Sequence, residues 1–242
     1  MTVTLDGFPD RPLGVVGPLD LHWSRPTTVD VGQRVTAEVV DVDVDGCRVR
    51  LAMTATEHPE LWAFLKGRRQ GEIMSGTVAA IERFGVFVAL DEGPEHPVFP
   101  GVGFISMAEL SWRPFEAASD VVRVGQRVSC EFLQFDTTNG EARLSLKATR
   151  PDPFDALGGD LPVGRALPGK VTKLLPFGAC VEIADGVEGF VHLTELSASP
   201  VATPEEVVAV GDEVTVVVTA FHRTRRAISL SLRRAREDTA TS

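Results

Sequence analysis

Cysteine is scarce in this chain and long apolar runs are missing. The three thiols, Cys47, Cys130 and Cys180, lie far apart and are odd in number. They offer neither a disulfide framework nor a metal knuckle, and are expected as reduced thiols in strands. No apolar run approaches the roughly 18–20 residues that a membrane-spanning helix needs. The opening segment, MTVTLDGFPD, has neither the basic start nor the apolar centre of a secretory leader. A cytoplasmic protein without membrane association is the expectation. Basic charge is also in short supply. The net charge of −10 excludes a chain that coats nucleic acid by bulk electrostatics, because phosphate affinity is drawn from Lys and Arg.

Reactive constellations are absent too. No Ser-His-Asp order, phosphate loop or paired carboxylate site can be argued. Glu57, His58 and Glu60 are neighbours, as are Glu95 and His96, but neither group has the i, i+4 ligand spacing of a helical metal site. No catalytic residue, metal or cofactor is expected.

What the chain does have is repetition. VGQRVTAEVVDVDVDGCRVRLAMTA (31–55) returns as VGQRVSCEFLQFDTTNGEARLSLKA (124–148) and as VGDEVTVVVTAFHRTRRAISLSLRR (210–234). Each copy alternates as a strand, a polar turn and a second strand. Upstream of the later two copies, GTVAAIERFGVFVAL (76–90) pairs with GKVTKLLPFGACVEI (169–183), and GVGFISMAEL (101–110) with GVEGFVHLTEL (186–196). A full unit therefore holds five short strands in about 75 residues, as a small closed β-barrel requires; closure removes exposed strand edges.

The ordered series FG-x-[FC]-V, G-[FV]-[IV]-[SH], E-L-S, V-G-[QD]-x-V and [LI]-S-L-[KR] resembles the S1 RNA-binding domain family, the five-stranded OB-fold repeat first described in ribosomal protein S1. The likeness spans residues 71–147 and 163–234. The implied fold class is all-β: tandem S1-type OB-fold barrels with short connecting helices. The domain plan is an incomplete unit over 1–56, lacking strand one; a helical linker over 57–70 with Leu61, Phe64 and Leu65 on one side; a unit over 71–148; a Pro/Gly/Asp-rich linker over 149–162; a unit over 163–234; and a disordered tail over 235–242. In a four-stranded first unit, the open edge could receive a protein partner.

The resemblance also implies a function: non-catalytic binding of single-stranded RNA with little sequence preference, on messenger or ribosomal RNA and at the ribosome. In this family the binding face comprises the aromatic pair of FG-x-F, a histidine on strand three, an acidic residue ending strand four and an arginine near strand five. The matching residues of the middle unit are Phe84, Phe87, Asp136 and Arg143, with Ser106 in place of the histidine and Glu141 where the arginine usually stands. Those of the last unit are Phe177, His192, His222 and the neighbouring Arg225 and Arg226, with Cys180 replacing the second aromatic. Aromatic faces stack on bases and arginines hold phosphates.

In IERFGVFVAL (81–90), period-two alternation assigns Val86, Val88 and Leu90 to the core and Phe87 to the opposite face. Phe84 and Phe87, three apart, share a face only if Gly85 breaks the pleat. Both rings are expected to be offered outward around Gly85 as a stacking platform; the alternative is that both belong to the core. The charge distribution divides the two units. Residues 71–147 hold 6 basic and 11 acidic residues, and residues 163–234 hold 8 of each. A rival reading is a protein-interaction scaffold of degenerate OB-folds that no longer binds RNA.

Overall fold

Alternating valines followed by turn residues build the chain as strand pairs, and fourteen strands result among the described residues. The computed structural model describes residues 1–8, 11–23, 28–157 and 161–240. Ser24–Pro26 of the first repeat, 158–160 of the second linker and the last two residues of the tail lie outside them.

The first segment contributes β1 (Thr2–Val3), β2 (Gly14–Val16), β3 (Glu38–Asp43) and β4 (Arg48–Ala52), in the order β1-β2-β4-β3. The middle repeat supplies β5 (Ile73–Glu82), β6 (Gly85–Leu90), β7 (Gly103–Ser106), β8 (Arg127–Asp136) and β9 (Glu141–Ser145), closed as β5-β6-β7-β9-β8. The last supplies β10 (Ala166–Leu175), β11 (Gly178–Ala184), β12 (Val187–His192), β13 (Glu213–His222) and β14 (Ala227–Ser231), closed as β10-β11-β12-β14-β13. Each barrel closes through one parallel pair, β7 with β9 and β12 with β14, and the first sheet keeps the equivalent pair, β2 with β4. Without a strand equivalent to β5 among the described residues, that sheet stays open between β1 and β3. A groove of about 540 Å³ runs beside β1, lined by Met1–Thr4 and by Val29–Val35 of the segment before β3.

The chain divides into two compact units, Met1–Ser111 with Phe115–Arg150, and Trp112–Pro114 with Pro151–Ser242. In the first unit the helix Pro59–Lys66 is buried on two sides. Leu61 and Leu65, with Phe64 beside them, join the barrel core around Val78, Val86, Ile105 and Leu144, whereas Trp62 packs with Ala52 and Ala55 and meets Phe135 edge-on at 4.9 Å. A segment expected only to link is thus a wedge between sheet and barrel.

Two expectations are corrected. Cys47 stands in the turn between β3 and β4 at φ 49°, and not in a strand. The tail expected to be disordered from 235 begins within a helix, Leu232–Ala240; Leu232 and Ala235 are buried against the last barrel, and Arg233 pairs with Glu195 at 3.1 Å. Two small anchors and an ion pair outweigh the polarity of RRAREDT.

Candidate nucleic-acid interface

The β5–β6 hairpin turns through Arg83 and Phe84, with Glu82 opposite Gly85. Phe84 is therefore a turn residue, and its direction needs no break in the pleat. Gly85 serves a different purpose, because a Cβ there would collide with the Ile105 carbonyl oxygen and lie 2.6 Å from the Phe104 ring. Only glycine admits β7 and its phenylalanine at this distance.

Val86, Val88 and Leu90 lie in the core as alternation demands. The opposite face carries a row of cross-strand neighbours: Ala80, Phe87, Phe104, Arg143 and Gln134. Phe84 is 61% exposed, but Phe87 is only 4% exposed, so the expectation that both rings are offered outward is corrected for Phe87. Its ring is covered by Phe99, stacked at 5.2 Å and 19°, and by Phe104 at 5.2 Å, with Phe84 edge-on at 6.2 Å. Phe99 comes from the proline-rich segment GPEHPVFPG (93–101) between β6 and β7.

Arg143 lies over Phe104, 4.7 Å from the ring centroid, and donates to Asp136 Oδ2 from Nε at 3.1 Å and Nη2 at 2.6 Å. Glu141 Oε2 stands 3.5 Å from the same guanidinium. Burial raises the Glu141 carboxyl above its ordinary range, against the pull of Arg143. The structure thus brings Phe84, Phe104, Asp136 and Arg143 around one face, with Ser106 opposite Gly85 at its edge, and surrounds the arginine with two carboxylates.

In the last barrel the equivalent row is Lys173, Cys180, Phe190, Ser229 and Ala220. Phe177 is 54% exposed and tilts against Phe190 at 5.5 Å. His192 is exposed, with Nδ1 2.9 Å from Thr194 Oγ1, and it pairs in register with Gly178. Burial and the nearby Glu188 carboxylate push the Cys180 thiol upward, keeping it protonated. Lys173, exposed and directly opposite Cys180, adds a cation that the motifs did not single out.

The arginines of this unit divide. Arg226, in the turn after β13 at φ 50°, places its guanidinium over Trp112 at 4.5 Å and Phe154 at 4.8 Å, and pairs with Asp152. The Asp152 carboxyl is held below its ordinary value, chiefly by that hydrogen bond. Arg223 pairs with Asp155 at 3.1 Å. Arg225 is exposed and in no ion pair among the described residues, and His222 is exposed at the start of the turn.

The first sheet repeats the row as Thr2, Val15, Arg50 and Asp41. Arg50 donates to Asp20 and, at 3.1 Å each, to the hydroxyls of Thr137 and Thr138 in the β8–β9 turn. Trp23 Nε1 donates to the Thr138 carbonyl at 3.0 Å, and its ring fills the space above Gly140. This row is engaged with the middle barrel. His58 and His96, weighed above as metal ligands, pack against the Trp23 ring at 5.4 and 5.1 Å.

Sequence reasoning missed Phe104, Phe190 and Phe99. The first two were legible, since G-F-I-S and G-F-V-H put a ring two residues before the family histidine and so on its face. Phe99 carries no comparable signal.

Comparisons with known proteins point to one family. The family model described as S1 RNA binding domain matches residues 68–147 and 160–233. The small ribosomal subunit protein bS1 of Mycobacterium tuberculosis is 39% identical over 213 residues, covering 86% of this chain and 42% of the relative. The bS1 homolog of Bacillus cereus is 32% identical over 225 residues, covering 91% and 56%. The chain thus spans about half the length of these relatives. Among solved structures, GSP13 from Bacillus subtilis shares 38% identity over 32% of this chain and 59% of its own, at a TM-score of 0.31. With two repeats matched over more than half its length, the chain belongs to the S1 RNA-binding domain family.

Proposed function

We propose that this chain is a non-catalytic binder of single-stranded RNA, messenger or ribosomal, acting in translation at the ribosome in the cytoplasm. The observation that carries it is the recurrence, in two closed S1 barrels, of an exposed phenylalanine on the first hairpin turn, Phe84 and Phe177, beside a ring on the neighbouring strand. Stacking on such rings is tolerant of base identity and contributes about 1–3 kcal/mol per base. Arg143, Arg223 and Arg226 are already held in ion pairs, which leaves chiefly Lys173 and Arg225 to meet phosphate, so affinity rests more on stacking than on phosphate neutralisation, and its decline with salt is shallow. Each barrel binds modestly, and linkage in one chain raises the affinity through effective concentration.

Filter binding of single-stranded RNA at several salt concentrations tests this. Binding at low salt that weakens in Phe84→Ala and Phe177→Ala is the expected result; no binding at low salt refutes it.

The open first sheet supports a second role beside the first. We propose that the gap between β1 and β3 takes an extended segment of a protein partner as an added strand. Capture from nuclease-treated lysate tests it: partners that vanish once RNA is removed count against this role.

A further inference from the structure

The octapeptide VGQRVTAE (31–38) of the first segment returns in the middle repeat as VGQRVSCE (124–131), with six of eight residues the same. The two copies fold differently. In the middle barrel Arg127–Glu131 opens β8 and pairs with Ile73–Thr77 of β5, and Val128 and Cys130 are buried. In the first segment β3 begins only at Glu38; Val35 and Ala37 keep the same alternation but are half-buried. Near-identical residues go without strand pairing because no counterpart of β5 lies beside them among the described residues.

The turn leading into this segment is nonetheless formed. In each closed barrel the turn glycine donates its N–H to the carbonyl of one valine of the first strand, and the residue after the glycine accepts from the N–H of that valine. The bonds are Gly125 to Val78 at 2.8 Å and Val78 to Gln126 at 2.9 Å in the middle barrel, and Gly211 to Val171 at 2.8 Å and Val171 to Asp212 at 2.9 Å in the last. The side chains of Gln126 and Asp212 brace the turn by accepting from the backbone N–H three residues earlier, that of Arg123 and of Ala209. Gln33 does the same for Asp30 at 3.1 Å, and Gly32 has a φ of 88°, against 82° and 98° for its counterparts. Among the described residues the Gly32 N–H and the Gln33 carbonyl oxygen have no backbone partner.

The opposite wall matches too. β1 takes the place of β6: Thr2 and Val3 face Val15 and Gly14 as Phe87 and Val88 face Phe104 and Gly103. Arg34 pairs with Asp6 at 2.9 Å, as Arg127 pairs with Asp91 to join the two neighbours of β5. The groove beside β1 is lined by both walls.

We infer that this groove is a socket for an extended segment of a partner protein with the pattern G-x-V-x-x-[IL], seated as β5 is in the middle barrel. Both strands that fill the equivalent place in this chain carry that pattern, as GTVAAI (76–81) and GKVTKL (169–174). The valine makes both turn bonds and is 1% exposed in each barrel. The glycine lets the neighbouring strand approach: a Cβ on Gly76 would lie 2.4 Å from the Ala89 carbonyl oxygen, and one on Gly169 would lie 2.5 Å from the Val181 side chain. Backbone bonds supply affinity and the inward valine supplies selectivity. A turn braced in advance loses little freedom on binding. The inference rests on the added-strand role proposed above and states the chemistry of its partner.

The test is fluorescence anisotropy of the whole chain with a fluorescein-labelled peptide copying residues 72–83, EIMSGTVAAIER, against the same peptide carrying Val78→Asp. Saturable binding is expected, and Val78→Asp should weaken it by more than about tenfold through loss of a buried valine. The chain variant Val35→Asp, altered at a half-buried position outside any strand, should weaken it similarly, with a thermal melt to establish that the variant folds.

Equal affinity for both peptides, or binding untouched by Val35→Asp, overturns the inference. So does concentration-dependent self-association that Val35→Asp abolishes, which assigns the socket to a second copy. If the peptide does not bind but partners captured from nuclease-treated lysate are lost in Val35→Asp, the added-strand role stands and the G-x-V pattern falls. If neither peptide nor partner binds, the added-strand role itself fails.

Discussion

Replacing Phe87 by alanine should damage the fold, whereas the same change at Phe84 should damage only binding. The two residues stand in one motif three positions apart, yet Phe87 is 4% exposed and Phe84 is 61% exposed. Phe87→Ala removes a ring held between Phe99, Phe104 and Phe84. Burial of this degree places the loss near the low end of the range for buried phenylalanines, about 3 kcal/mol, because the Phe99 segment can settle partly into the space. In a unit of this size that lowers the melting midpoint by about 6–12 °C. Phe84→Ala, at an exposed turn, should stay within about 0.5 kcal/mol of the parent. The assay is a thermal melt followed by tryptophan fluorescence, free of tyrosine background since the chain has none. Trp23 and Trp62 belong to the same compact unit as both phenylalanines. Equal losses at the two positions, or a neutral Phe87→Ala, would refute the assignment of Phe87 to the interior.

Two further outcomes concern charge. Glu141 has its folded pKa raised by burial, so it favours the folded state below its ordinary value near 4.5 and withdraws that support as pH climbs through the raised value. Glu141→Gln should therefore raise the melting midpoint at pH 7, flatten its acid-range pH dependence and, by freeing Arg143 of one carboxylate, tighten RNA; a lower midpoint at pH 7 would contradict this. Asp152 is the opposite case: its folded pKa is lowered by Arg226, so its support is complete above the ordinary value of 3.8 and lost as pH falls through the depressed one. Asp152→Asn should cost about 1 kcal/mol or less at pH 7, given the half-exposed partner, and in melts over a pH series the gap to the parent should narrow as pH falls below 3.8.

The barrels were legible because period-two alternation, turn glycines and the repetition itself all indicate the same strand order, down to Val86, Val88 and Leu90 in the core. The binding face was legible only in part. A motif names Phe84 and Phe87 together, but whether a ring is exposed depends on what else reaches it. Here that is Phe99, twelve residues downstream in an irregular segment whose path is set by His96 and its contact to Asn139. Arg226 misled in the same way: sequence shows a cation near strand five, while its partners Asp152, Trp112 and Phe154 lie far away along the chain. The terminal helix was hidden by its charge, since two anchors, Leu232 and Ala235, suffice to seat it.

The bond between Trp23 and Thr138, with Arg50 reaching both threonines of the same turn, bears on how the molecule comes apart. A four-stranded sheet with an open edge has little independent stability, and here Arg50, beyond its bond to Asp20, and Trp23 both bond to the barrel that follows in sequence. Heat or denaturant should find no separate melting event for residues 1–56. A calorimeter would register sheet, wedge helix and middle barrel as one cooperative transition, and a truncation meant to delete the first repeat would instead uncover Trp62, Phe135 and Gly140. Three repeats in the sequence thus become two thermodynamic domains.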